Sequence, residues 1–212
     1  MSTEQDHLES IREMRNLMER STRYLSLSGM AGVMVGFIAL AGVAALLTLM
    51  GIPIGQPVSF IDLAASGGRE ASQIKERILI MAALVFTLSM IVEAVFAVRN
   101  ARKMGLPLWD ATARRLLTAL LIPIVGGGIY CISLLQSGRL DDLAAASLMF
   151  YGLGLINAGK YAVPDVGRLG MAVFVTGLAA SFFPLQAVYF WAFGFGILHI
   201  IYGISIHFKH QR

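Results

Sequence analysis

Apolar positions along this chain fall into long blocks rather than into alternating or short-period patterns. Leu25–Met50 carries no charged residue. A membrane-crossing helix needs about 20 apolar residues, so this block predicts a first span. Ile78–Val98 predicts a second, interrupted only by Glu93, and Leu116–Gln136 a third. Leu143–Tyr161 predicts a fourth. From Arg168 to Lys209 the intervening 40 residues hold no Asp, Glu, Lys or Arg. As one helix they would run about 60 Å, twice the roughly 30 Å hydrocarbon core. The stretch therefore folds back at Phe182-Phe183-Pro184, giving spans Val166–Phe183 and Ala187–Phe208. The fold class expected is all-α: a six-helix polytopic membrane bundle occupying residues 25–208, followed by a short tail, 209–212.

Residues 1–24 are patterned differently. Leu8, Ile11, Met14 and Met18 recur at steps of three and four among charges of both signs, which predicts an amphipathic helix. It suits a place on the inner headgroups or, on a sharper reading, contact with a protein partner or a second copy. Five acids in this segment, and the length of the apolar block after it, argue against a cleavable signal peptide. Between the first two spans, Val58–Ala65 predicts a short interfacial helix flanked by glycine and proline turns.

Charge sets the orientation. With the N-terminus inside, 13 of the 17 Lys and Arg lie in cytoplasmic segments; Arg69, Lys75, Arg77 and Arg139 lie outside. That asymmetry predicts both termini in the cytoplasm. The net charge of +4 then reflects membrane topology. It is no nucleic-acid footprint, since no aromatic-and-basic recognition motif accompanies it. The only cysteine, Cys131, sits in an apolar run and reads as small filler. Nucleophile-elbow, zincin and Walker motifs are absent, so no enzyme, cofactor or metal site is expected. Asp141-Asp142 reads as a helix cap.

Ionisable groups at membrane depth are functional candidates by default. Glu93, Asn157 and Lys160 fall towards the inner side of spans two and four, and His199 near the middle of span six. Gly196, Tyr202 and Gly203 share a face with His199, so this face points into the bundle. Glu93 and His199 would be the titrating groups of a proton or solute path, with Asn157 orienting and Lys160 balancing charge. Against this stands a structural reading, in which Glu93 is held by a hydrogen-bonding partner or by Lys160. Ser28, Gly32 and Gly36 form a small-residue stripe on span one, the usual mark of close helix packing.

Three segments carry a resemblance: Met18–Gly29 (MERSTRYLSLSG), Phe150–Tyr161 (FYGLGLINAGKY) and Phe190–Gly203 (FWAFGFGILHIIYG). The chain resembles a group of small bacterial six-helix membrane proteins with no assigned activity. The resemblance implies a bacterial inner-membrane location and transfers no functional residue. Two functions are then open: movement of a small solute, ion or proton, or a non-catalytic scaffold or regulatory partner.

Overall fold

A computed structural model describes residues 29–65, 67–105, 107 and 109–210. The expected helix over 1–24, Ser28 and the last two residues of the tail lie outside them. All regular structure among the described residues is helical. Helix α1 is Gly29–Leu49, α2 Phe60–Ala64, α3 Gly68–Met104, α4 Ala111–Gln136, α5 Leu143–Ala158 and α6 Pro164–Phe182. The C-terminal rod runs without a break from α7 (Ala187–Trp191) through a π-helical segment (Ala192–Ile197) into α8 (Leu198–His210). Five stretches are long and apolar enough to cross a membrane: α1, most of α3, α4, α6 and Pro184–Lys209. The short helix expected over Val58–Ala65 is present as α2.

Polar end signals account for several boundaries. Asp110 accepts from the Ala113 N–H at 2.6 Å and starts α4. Pro164 starts α6, where its missing N–H costs nothing. Gly105 ends α3 at φ 64°, a conformation open to glycine at no steric cost. At 37 residues, α3 is about 55 Å long, well beyond the charge-free block Ile78–Val98.

The helices pack in the order α3, α1, the C-terminal rod, α6, α5, α4. First and last helices are therefore neighbours. Gly32 and Gly36 lie at this seam: a Cβ on Gly32 would meet the His199 carbonyl at 3.3 Å, and one on Gly36 the Gly196 carbonyl at 2.6 Å. The small-residue stripe thus packs within the chain. Gly152 and Gly170 give α5 and α6 the same closeness.

Outward faces of α3 and α4 are apolar and exposed. Leu79, Ile80, Phe86 and Ile91 on α3, and Ile122, Val125 and Ile129 on α4, are each more than half exposed. Water does not stabilise so large an apolar face; lipid does. These are the marks of a multi-pass membrane protein.

One end of the bundle is tied shut. The connections after α1, α4 and α6 meet there. Val58 N–H donates to the Leu185 carbonyl at 2.8 Å. Tyr189 donates to the Gln56 carbonyl at 2.7 Å and accepts from the Gly55 N–H at 3.0 Å. Asp141 is buried and accepts from Phe60 N–H at 2.6 Å, Ile61 N–H at 3.3 Å and the Ser59 hydroxyl at 3.0 Å. The cap expected of Asp141-Asp142 is real but serves a different helix: Asp141 caps α2, some 80 residues away in sequence. Asp142 makes no capping bond to α5 and instead pairs with Arg139 at 2.7 Å. Apolar packing of Leu47, Val58, Phe60, Leu140 and Val188 lies beneath. At the opposite end Asp165 binds Arg168 at 2.8 Å and Lys209 at 3.0 Å.

Candidate functional site

The C-terminal rod carries the centre of the site. Its π segment reads Ala-Phe-Gly-Phe-Gly-Ile. Two of its glycines let neighbours close in: Gly194 faces the Leu148 side chain on α5, and Gly196 faces Leu40 on α1. Within the widened turn, Leu198 N–H donates to Phe193 O, five residues back. Such turns recur at functional positions because they re-aim the groups around them.

Here the re-aimed group is His199, only 3% exposed. Its Nδ1 lies 3.0 Å from the Gly194 carbonyl and its Nε2 2.9 Å from the Tyr151 hydroxyl. A carbonyl only accepts, so Nδ1 carries the proton. In a buried neutral imidazole Nε2 then accepts, and Tyr151 is the donor. Phe195 stacks on His199 with ring centroids 6.1 Å apart, and also packs on Tyr151 and Trp191. Both nitrogens of His199 are thereby committed. On the far side the hydrogen-bond chain ends at a backbone carbonyl, which takes up no proton. A relay running through His199 is not what this arrangement offers.

Tyr202 stands three residues further on, on the same face. It is 8% exposed, and its hydroxyl has no hydrogen-bond partner among the described residues. Leaving such a group bare in an apolar interior costs about 1–3 kcal/mol. Glu93 is half-buried on α3, a helix that packs against α1 and α2. No ion pair to Glu93 occurs among the described residues.

The remaining candidates lie elsewhere. Asn157 donates to the Ala119 carbonyl at 3.1 Å, joining α5 to α4, and accepts from Lys160 at 3.0 Å. Asn157 follows Tyr151 by six residues, about 240° around a helix, and so points away from the His199 side. Lys160 is exposed. The expected pairing of Lys160 with Glu93 and the orienting role for Asn157 are both replaced by this local contact. Gly203 packs its backbone against Gly29 and Val33 of α1.

Tyr151 did not stand out in the sequence. A single tyrosine in an apolar span usually reads as filler or as an interface anchor, and its partner is 48 residues away. A glycine-rich, aromatic run just before a histidine in the last span is the signal that points to it. Among the described residues no three His, Cys, Asp or Glu converge as a metal site.

No protein-family model matches this chain, and neither a curated protein nor a solved structure matches it.

Proposed function

We propose that the chain is a six-span bacterial inner-membrane protein, with both termini cytoplasmic, that takes up a small solute, ion or proton along a path that uses Glu93 and the buried polar groups Tyr151, Tyr202 and His199. It is not proposed as an enzyme. The sixth span is α5. With the 3-10 turn Leu140–Asp142 ahead of it, it reaches about 30 Å, enough for the hydrocarbon core. In this reading the tied end of the bundle faces outward, in keeping with the charge asymmetry of the connections.

One observation carries the functional reading: the buried Tyr202 hydroxyl has no hydrogen-bond partner among the described residues. A cluster built only to glue helices would satisfy its own hydrogen bonds. The test is flux. Purified protein in proteoliposomes should carry a pH- or cation-gradient-driven current that Glu93→Gln abolishes while circular dichroism stays unchanged. Equal flux from the variant and the wild type would overturn the reading.

A second reading is favoured by the enclosure of His199 among Tyr151, Phe195 and Gly194. In it the protein is a membrane scaffold or regulatory subunit that recruits a partner through residues 1–24, and the polar groups only fix helix register. Glu93→Gln would then leave the protein silent in flux, and deletion of residues 1–24 would abolish its co-purification with a partner.

A further inference from the structure

We infer that the cleft between the turn after α1, helix α2 and the start of α3 binds the phosphoethanolamine headgroup of a bilayer lipid. The inference is independent of the polar groups in the bundle interior.

The cleft holds about 180 Å³ and is lined by Met50, Leu63, Glu70, Gln73, Ile74 and Arg77. Drug-sized pockets begin at roughly 300 Å³, so this one suits a headgroup rather than a large solute. Helix α3 packs on both α1 and α2, and Met50 and Ile74 also pack on the apolar cluster of the tied end. Helix α1 stops at Leu49, and the charge-free block of α3 begins at Ile78. Arg77 therefore stands at the level where the hydrocarbon ends. Gln73 and Glu70 stand further out along α3, by about 6 and 10 Å.

Arg77 donates to the Leu49 carbonyl at 2.9 Å. This satisfies one of the carbonyls that a helix end leaves open. It also fixes the guanidinium at the rim, with its other N–H groups unspent among the described residues and suited to a phosphate. Glu70 and Arg77 are exposed, and neither has an ion pair among the described residues. Helical ion pairs form at three and four residues, and these two are seven apart. A ligand that carries both signs bridges them, with its phosphate at Arg77 and its ammonium at Glu70.

The order matches a lipid, whose phosphate adjoins the glycerol and whose amine lies beyond it. Towards the bilayer the same face of α3 continues in Ile80 and Leu84, three and seven residues past Arg77 and each about half exposed. That apolar track takes an acyl chain, which commits the site to a lipid rather than to a soluble zwitterion. Phosphatidylglycerol offers Glu70 no cation. The methylated nitrogen of phosphatidylcholine has no N–H to donate.

Native mass spectrometry tests this on the full-length protein in detergent, mixed with phosphatidylethanolamine, phosphatidylcholine and phosphatidylglycerol of identical acyl chains. Phosphatidylethanolamine should be retained about fivefold more than either competitor, the factor that an exposed ion pair supplies at the upper end of its range. Glu70→Gln breaks no hydrogen bond among the described residues and should bring phosphatidylethanolamine down to the level of phosphatidylcholine. Arg77→Gln should lower the retention of both lipids together. Equal retention of all three lipids by the wild type, or a preference that survives Glu70→Gln, would overturn the proposal. Free phosphoethanolamine that raises the melting midpoint in lipid-free detergent as far as the lipid does would overturn the lipid as the ligand.

Discussion

Replacing Gly203 with alanine tests the seam between first and last helices. A Cβ at that position would overlap the Gly29 carbonyl oxygen and would meet Val33 N at 2.6 Å. Both obstacles are backbone, so no rotamer change relieves them. Ordinary van der Waals distance requires α1 to retreat by about 1 Å, and a gap of that size forfeits a quarter to a half of each dispersion contact along the seam. Overpacking of this kind costs about 1–3 kcal/mol. Against it stands the better helix propensity of alanine, worth about 1 kcal/mol at most. Gly126 is the control: it lies inside α4, and a Cβ there meets nothing within 4 Å, so Gly126→Ala keeps only the favourable part. In a chain of this size each kcal/mol moves the midpoint by about 2–4 °C. Gly203→Ala should therefore melt several degrees below Gly126→Ala in detergent, followed by Trp fluorescence. Equal midpoints would refute the close backbone approach of α1 and α8.

Asp141→Ala strands the Phe60 and Ile61 N–H groups and should cost at least about 2 kcal/mol, read as faster proteolysis within residues 51–65. Asp142→Ala breaks only an exposed pair and should cost less than about 1 kcal/mol in the same assay. Lys160→Met should leave flux unchanged if the lysine serves only Asn157; a large loss would return it to the site. In a Cys131→Ala background, cysteines at Gln56 and Ser137 should label from outside intact cells, and cysteines at Ala111 and Arg168 should not. The reverse pattern would invert the topology.

Long-range polar pairing separates what the sequence foretold from what it hid. Block hydrophobicity located each apolar helix, because lipid demands a continuous apolar run and nothing local competes with it. The glycine faces of α1 and α8 were readable for the same reason, since close approach requires small residues wherever the partner lies. Asp141 was misread because a carboxylate beside a helix start has an obvious local use, and its true donors, the Ser59 hydroxyl and the Phe60 and Ile61 N–H groups, lie at the start of α2 about 80 residues earlier. The link between His199 and Tyr151 was hidden because the π segment rotates the end of the rod, a turn that periodicity at 3.6 residues does not register. A pairing of Lys160 with Glu93 was one alternative offered on depth, whereas Lys160 lies in the turn just past α5 and donates to Asn157 three residues back.

The pairing of α1 with α8 sets a constraint on how the protein is made. When α1 enters the bilayer, the helix that covers its glycine face has not been synthesised, and about 150 residues must follow before it arrives. The loop over residues 51–65 waits as well, since Leu185 and Tyr189, which hold it, belong to the final hairpin. Through most of synthesis the first helix is thus an exposed small-residue surface that other membrane helices can occupy. Release of the last hairpin is the event that closes the bundle, and a chain stalled before it would be a substrate for quality control rather than a partly working protein.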